Sequence, residues 1–222
     1  MRKFNQGLQT LDHLLQEIRA CTHCTAVLPC GPRPVLQAHR SARLLIVGQA
    51  PGRKVHESGI PWSDKSGERL RDWLGLTLAQ FHDATQVALV PMGFCYPGKA
   101  ASGDMPPRPE CAPRWHEKLN AQLTDVGLTL LVGRYAQAYY LGERCKPTLG
   151  ETVRAWKTYL PMGYFPLPHP SPRNQIWLAR NGWFGEEVLP ALKKATRTLP
   201  GWCCSTVDQA AGLTSSFFAR SQ

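Results

Sequence analysis

The sequence has no long apolar run. No stretch approaches the ~20 consecutive apolar residues of a membrane span, and residues 1–16 lack the apolar core of a signal peptide. We therefore expect a cytoplasmic protein with no membrane partner. Thiols stay reduced in that compartment, so the eight cysteines favour metal binding or free thiols over a disulfide framework.

Acidic residues are scarce relative to basic ones. Sixteen Asp and Glu oppose 26 Lys and Arg, which gives a formal net charge of +10 with histidine neutral. The basic residues form no single long run that would mark a tail. Such a surface favours a polyanionic partner, nucleic acid first. Charge alone leaves a merely soluble basic protein as an equal alternative.

Internal repeats and a Gly-rich phosphate loop with its lysine are also missing. Their absence excludes a repeat architecture and disfavours a phosphate-handling enzyme. A chain of 222 residues is long enough for one proper core, so we expect a single domain over residues 1–200 that acts as a monomer. Residues 201–222 are small and polar with little periodicity, and we expect a disordered tail there.

Short apolar runs alternate with stretches of helical spacing. The apolar runs are Leu44–Val47, Val87–Val90, Leu128–Val132 and Tyr164–Leu167, and the helical stretches cover residues 8–20, 68–76, 109–124 and 135–141. The first run is wholly apolar, as in a strand buried on both faces of a parallel sheet. The alternation predicts a three-layer α/β/α sandwich around a parallel sheet of about four strands. Its working loops should follow the strands at Gly48, Pro91 and Leu167.

Four cysteines have a spacing that suits a metal centre. Cys21 and Cys24 form a CxxC at the end of the first predicted helix, and Cys95 and Cys111 follow with fifteen residues between them. Four thiolates suit either a [4Fe–4S] cluster or zinc, and spacing alone does not choose between the two.

Together with the preceding helix, this pattern resembles the family 4 uracil-DNA glycosylases, whose four cysteines hold a [4Fe–4S] cluster. The resemblance implies that the cluster ligands are Cys21, Cys24, Cys95 and Cys111, with zinc as the alternative. The remaining cysteines have no counterpart in the pattern, and we interpret them as thiols without a metal role: Cys30, Cys145, Cys203 and Cys204.

The first strand ends in the tight turn Gly48-Gln49-Ala50-Pro51-Gly52, which lets a nucleotide approach the backbone closely. With Gly59-Ile60-Pro61-Trp62 and Ser66-Gly67, it resembles the first motif of the uracil-DNA glycosylase superfamily. The resemblance implies that Gly48 and Ala50 border the base, that Trp62 stacks on it and that Gln49 orients water. A core tryptophan is the alternative for Trp62.

Arg53 and Lys54 follow this turn and replace acidic residues of the family. We expect them to contact DNA phosphates, with a solvated helix face as the alternative.

The segment His169-Pro170-Ser171-Pro172-Arg173-Asn174 follows the last apolar run, and its prolines stop the strand, so the loop projects from the sheet edge. It resembles the second motif of the superfamily, most closely in the single-strand-selective monofunctional uracil glycosylases. The resemblance implies that His169 donates a hydrogen bond to the base oxygen that gains negative charge. Ser171 would then touch a phosphate, and Pro172 and Arg173 would enter the duplex where the base has left.

Two positions depart from the family pattern. Gln49 stands where family 4 enzymes have a carboxylate, and a neutral amide orients water without adding charge. Pro91 stands, counting back from Cys95, at the place of the Asn that reads the base, and its side chain offers no hydrogen bond. Asn174 or Gln175 can replace that Asn only where the second loop folds inward.

The resemblance spans about residues 8–195 and predicts a monofunctional DNA glycosylase of base excision repair. Such an enzyme flips a deaminated base, uracil first, and hydrolyses its N-glycosidic bond with water. The motifs supply no lysine nucleophile for a lyase. The alternative is a lesion-binding or single-strand-binding module that kept the pocket and lost the chemistry, and Gln49 and Pro91 favour it.

Overall fold

Four parallel strands and one hairpin form the β structure of residues 10–202, the part of the chain that the computed structural model describes. The parallel strands are β1 (Leu44–Val47), β2 (Val87–Leu89), β5 (Leu128–Val132) and β6 (Tyr164–Leu167), and the antiparallel hairpin consists of β3 (Lys99–Ala100) and β4 (Gly103–Asp104). The sheet order is β2, β1, β5, β6. The predicted four-stranded parallel sheet is confirmed. Residues 1–9 and most of the predicted tail, residues 203–222, lie outside the described residues.

Ten α-helices occur in the same described part of the chain. They are α1 (Leu11–Arg19), α2 (Arg53–Ser58), α3 (Lys65–Leu74), α4 (Leu78–Phe81), α5 (Cys111–Gln122), α6 (Arg134–Leu141), α7 (Leu149–Arg154), α8 (Trp156–Tyr159), α9 (Gln175–Arg180) and α10 (Leu189–Arg197). Short 3-10 helices cover Gly142–Arg144, Leu160–Met162 and Pro172–Asn174, and a π-helical turn covers Phe184–Val188. None of the helices in residues 10–202 is long and apolar enough to cross a membrane.

The sheet is buried on both faces, which explains the uninterrupted apolar run of β1. Leu45 and Val47 pack in one core with α1, α5 and α6, whereas Leu44 and Ile46 pack in a second core with α3 and α10. Successive side chains of a strand point to opposite faces, so a strand between two helical layers is apolar at every position. All four side chains are at most 3% exposed. The predicted α/β/α layering is therefore confirmed.

Capping residues set the ends of the helices that apolar spacing predicts. The apolar spacing predicts that the first helix starts at residue 8. In the structure α1 begins at Leu11, because the Thr10 side chain caps it. The spacing places the next helix at residues 68–76, but α3 begins earlier because Asp64 caps it. It ends earlier because Gly75 adopts a φ of 67°. The two remaining predicted helices are α5 and α6, whose ends lie within two residues of the prediction.

Six of the helices and the hairpin are not predicted from the sequence, although capping boxes mark the starts of α4 and α7. This omission matters for the site, because α2 carries part of the first loop and the hairpin borders the same loop. The hairpin turns at Ala101-Ser102, which lacks the Asn-Gly or Gly-Gly pair that marks a two-residue turn.

Candidate active site

The carboxyl ends of β1, β2 and β6 surround one open cleft, as expected for a parallel sheet. The loops after β1 and β6 line it, together with Pro91, the hairpin and the start of α3. Its volume is about 560 Å³, which is typical of ligand sites in proteins. The sheet edge therefore holds a cavity where the sequence places the working loops.

Ten of the eleven residues predicted to contact the base or the DNA line this cleft. They are Gly48, Gln49, Ala50, Lys54, Trp62, Pro91, His169, Ser171, Pro172 and Arg173. Arg53 is the exception, because its guanidinium pairs with Glu57 at 2.9 Å and both side chains are exposed. Arg53 thus lies on the solvated face of α2, outside the cleft lining.

Trp62 packs directly against the end of β1. A carbon added at Gly48 would lie 2.7 Å from the indole Cζ2, and one added at Gly67 would overlap the Trp62 carbonyl. The Trp62 backbone has a φ of 57°, in the left-handed region that residues other than glycine seldom adopt. The indole stacks on the His169 imidazole with ring centroids 5.8 Å apart. Trp62 is half-buried: it lines the cleft and also packs against the core that contains Leu44 and Ile46.

His169 is held in one tautomer by its own loop. The Ser171 backbone N–H donates to Nδ1 at 3.2 Å, so a neutral imidazole carries its proton on Nε2. Burial lowers the pKa of His169, and this effect exceeds the opposing one of the nearby Asp64 carboxylate. The side chain is therefore neutral at neutral pH, with Nε2–H as the donor.

Further hydrogen bonds brace the loop that carries His169. The Asn174 side-chain amide donates to the His169 carbonyl at 2.7 Å, and Arg69 of α3 donates to the Ser171 carbonyl at 3.2 Å. The Ser171 hydroxyl accepts from the Arg173 N–H at 3.3 Å, which leaves the hydroxyl proton for another acceptor. The loop is thus preorganised without a ligand.

The hairpin forms one wall of the cleft and contacts both loops. Gln49 Nε2 donates to the Met105 carbonyl at 3.3 Å, directly after β4. The bond assigns the carboxamide oxygen of Gln49 as the atom that can accept from water. From the other loop, the Arg173 guanidinium lies so close to Gly103 that a side-chain carbon there would overlap it. Arg173 therefore bridges the second loop and the hairpin in this structure.

Two carboxylates in the cleft are missed by the sequence analysis. Asp64 caps α3 by accepting the Gly67 N–H at 2.9 Å, and Asp104 ends the hairpin. Their Oδ2 atoms lie 3.9 and 3.4 Å from the position of a carbon added at Gly52, so the two carboxylates approach the same point. Burial raises the pKa of Asp104; Arg173 opposes this, and Asp64 adds to it. An Asp before an amphipathic helix is a recognisable cap signal, whereas nothing local marks Asp104.

A sequence profile of the uracil DNA glycosylase superfamily matches residues 24–193, well over half of the 222 residues, and this range includes both loops of the cleft. The chain belongs to this superfamily. Its members are glycosylases that hydrolyse the bond between a base and the sugar of DNA. Membership therefore indicates glycosylase chemistry with DNA as the partner, and the parallel sheet flanked by helices agrees with the fold of the superfamily.

Pro91, which the sequence resemblance predicts at the place of a base-reading Asn, lines the cleft, and a buried network holds it. His116 Nε2 donates to the Pro91 carbonyl at 3.1 Å, and His116 Nδ1 lies 2.8 Å from the Tyr140 hydroxyl, which therefore donates to it. The imidazole is fully buried and stacks on Phe94. Burial lowers the pKa of His116 to about 4, so it is neutral at neutral pH. The strand end is thus anchored through its backbone.

Of the two residues considered as substitute readers of the base, only Asn174 lines the cleft. Its amide nitrogen is used within the second loop, which leaves the carboxamide oxygen as an acceptor. Gln175 is the first residue of α9 and lies outside the cleft lining.

The predicted metal ligands line a second cavity. Cys21 and Cys24 follow α1, Cys95 follows β2, and Cys111 is the first residue of α5. Its walls also include the apolar side chains of Leu28, Phe94 and Trp115. The fold thus brings together four cysteines that are far apart in sequence. Among residues 10–202, no group of three or more His, Cys, Asp and Glu side chains is arranged to hold a single metal ion.

Two partly buried thiols of this cavity, Cys95 and Cys111, accept hydrogen bonds from the backbone. The Phe94 N–H donates to Cys111 Sγ at 3.4 Å, and the Arg33 backbone N–H donates to Cys95. Burial raises the pKa of Cys95 to about 11 and that of Cys111 to about 12. These thiols therefore ionise at neutral pH only when a cation compensates the charge.

The other cysteines in the described range lie apart from this cavity. Cys30 is exposed, and Cys145 Sγ lies 3.7 Å from the Thr152 hydroxyl. Neither lines the cavity. Cys203 and Cys204 lie outside the described residues.

Proposed function

We propose that this protein is a monofunctional DNA glycosylase of base excision repair that acts in the cytoplasm and releases deaminated bases, uracil first. The proposal rests mainly on one observation: the cleft combines an imidazole Nε2–H donor, an aromatic face and a water-orienting amide. The three residues are His169, Trp62 and Gln49. A module that only binds DNA has no need of a donor held in one tautomer.

These residues match the charge that develops as the bond breaks. Cleavage of the C1′–N bond leaves the electron pair on the base and positive charge on the sugar. His169 Nε2–H stabilises the anionic base oxygen, as an oxyanion-hole donor does. Trp62 holds the base out of the stack, which is worth ~1–3 kcal/mol. The Gln49 carboxamide oxygen accepts from a water and directs its oxygen at C1′.

The Asn174 carboxamide oxygen suggests which bases are accepted. Uracil, hypoxanthine and xanthine each carry a ring N–H at the Watson–Crick edge, where cytosine and adenine have a bare nitrogen. An acceptor in the cleft favours the ring N–H, because a bare nitrogen would leave two acceptors facing each other. Thymine and guanine carry the same ring N–H, so this contact disfavours only cytosine and adenine. We expect the deaminated bases as a class to be substrates, because the Pro91 side chain forms no hydrogen bond that would restrict them to uracil.

A gel assay tests this function. Oligonucleotides carrying uracil, hypoxanthine or xanthine, single-stranded and duplex, are incubated with enzyme and then treated with alkali to cut abasic sites. We expect alkali-dependent cuts at the deaminated base and none in matched cytosine and adenine controls. Binding without base release from any of these oligonucleotides would instead identify a lesion-binding module.

Borohydride trapping tests the monofunctional assignment separately. Lys54 and Lys65 both line the cleft, so a lysine is within the site even though no motif marks a nucleophile. We expect no trapped protein–DNA adduct and no strand cleavage before alkali. A trapped adduct lost in Lys54→Ala or Lys65→Ala would show a lyase.

We further propose that Cys21, Cys24, Cys95 and Cys111 hold a [4Fe–4S] cluster. Four thiols around one apolar-walled cavity form a soft donor set that suits iron–sulfur chemistry. Each thiolate ligates a different iron of such a cluster, whereas zinc requires all four sulfurs at bonding distance from one ion. The cluster would tie α1, the segment after β2 and α5 together, away from the cleft where the base is released.

A further inference from the structure

The cleft contains a carboxylate beside position 49, although Gln49 itself is neutral. Asp104 is the last residue of β4, and the next residue, Met105, accepts the hydrogen bond from Gln49. Asp104 also approaches the first loop, with Oδ2 3.4 Å from the position of a carbon added at Gly52. Asp104 therefore lies beside the loop that carries Gln49.

We propose that Asp104 is the general base of the hydrolysis and supplies from the hairpin the negative charge that Gln49 lacks. This inference rests on the proposed glycosylase function. It assigns a catalytic residue that no motif marks, because the hairpin lies in neither of the two catalytic loops.

The surroundings of Asp104 and Asp64 separate the roles of the two carboxylates. Asp64 uses one oxygen to accept the Gly67 N–H at the start of α3. Asp104 is exposed to the cleft, with no such bond among the described residues, and burial and the charge of Asp64 both favour its protonation. The helix cap thus occupies Asp64, whereas the Asp104 carboxylate faces the cleft and can accept a proton.

Two basic groups favour the ionised form of Asp104, but its pKa stays raised overall. Arg173 reaches the hairpin at Gly103 from the second loop, and Lys99 stands on the paired strand opposite Asp104. Both favour the ionised carboxylate, whereas Asp64 from the start of α3 disfavours it. The result is an ionised base that can still take up a proton during the reaction.

The proposed step balances as follows. The C1′–N bond breaks and its electron pair stays on the base, where His169 Nε2–H stabilises it. The water oxygen forms the new bond to C1′ and one water proton passes to the Asp104 carboxylate. The protonated Asp104 then returns the proton to the departing base or to solvent, so no oxidant, metal or other reactant is consumed.

Single-turnover release of uracil, measured across pH together with DNA affinity, tests this role. The variants are Asp104→Asn, Gln49→Glu and the double variant, with Asp72→Asn as a matched control because Asp72 is exposed on α3. We expect Asp104→Asn to lose roughly a hundredfold in rate with DNA affinity within about threefold. The wild-type rate should rise with pH through one carboxyl ionisation, and the variant should lack this limb.

The double variant separates chemistry from structure. Gln49→Glu places a carboxylate next to the attacking water. The double variant should therefore release uracil at least roughly tenfold faster than Asp104→Asn alone. If Asp104 had only a structural role, a carboxylate at position 49 would not restore the rate of uracil release. An Asp104→Asn enzyme with wild-type rate and pH profile would overturn the assignment while leaving the glycosylase function standing. A wild type that releases no base would overturn both.

Discussion

The cleft and the cysteine cavity are lined by successive residues of one segment but differ in their side chains. Pro91 lines the cleft, whereas Gly93, Phe94 and Cys95 line the cavity. The cavity holds four cysteines, and burial raises the pKa of Cys95 and Cys111, whereas carboxylates, an imidazole and lysines line the open cleft. We therefore interpret the cysteine cavity as a structural site and the cleft as the site of chemistry, with residues 91–95 between them. Changes to the cavity should therefore act on stability, and changes to the cleft on rate.

Removal of the metal should have the largest effect. Protein purified without oxygen should be brown, with about four iron atoms per chain and broad visible absorption. Cys111→Ser should abolish the colour and lower the midpoint of thermal unfolding by roughly 10 °C or more, because the start of α5 loses its tie to the segment after β2. Iron analysis and calorimetry check this.

Cys145→Ser is the matched control, since Cys145 lies outside the cavity lining, and it should keep both iron and colour. Colourless wild-type protein with one zinc per chain would contradict the cluster and support the alternative metal.

Substitution of a cleft residue should lower the rate of base release and leave the free energy of unfolding unchanged. His169→Ala should slow base release by roughly a hundredfold or more, as when one oxyanion donor is removed, while affinity for DNA is kept. Single-turnover kinetics and a binding titration check this, with the exposed His39→Ala as control. Equal losses of rate and affinity would indicate that His169 only positions the DNA.

His116 lies between the two regions and should make stability depend on pH. Its pKa falls from an ordinary 6.5 to about 4 in the folded chain, so below pH 6.5 the unfolded chain takes up a proton that the folded chain does not. Its stabilising contribution is present above about pH 6.5 and is lost as the pH falls toward 4.

Comparison with His116→Gln isolates this effect. The wild type should lose roughly 2–3 kcal/mol more unfolding free energy than the variant between pH 6.5 and 4. Urea unfolding at several pH values measures the difference. Parallel curves for the two proteins would mean that His116 is not the group responsible.

The smallest expected effect distinguishes two adjacent basic residues. Lys54 lines the cleft, whereas Arg53 pairs with Glu57 outside it. Lys54→Ala should reduce the slope of log affinity against log salt by roughly 0.7–0.9, the value for one phosphate contact, and Arg53→Ala should leave it unchanged. Fluorescence anisotropy across a salt series measures both slopes. A reversed order would place the phosphate track on the outer face of α2.

Local patterns predict the strands and the second loop because each of them is continuous in sequence. The apolar run Leu44–Val47 has one explanation, burial between two helical layers, and the cores confirm it. Asp104 escapes prediction because its hairpin turns at Ala-Ser without a strong turn signal, and its neighbour Gln49 is remote in sequence. Contacts such as Arg173 on Gly103 or His116 on Pro91 arise only from packing between distant segments.

The backbone around Trp62 has a consequence for how this sequence can vary. The indole requires the bare α-carbon of Gly48, and its carbonyl requires that of Gly67. Neither glycine can gain a side chain while Trp62 stays in place. The left-handed backbone at position 62 also restricts which residues can replace the tryptophan. Gly67 faces the backbone carbonyl of residue 62, which is present whatever the side chain, so it should be retained in every homologue with this backbone. Gly48 faces the indole itself, so a chain in which position 62 carries a smaller residue should be the one that tolerates alanine at 48.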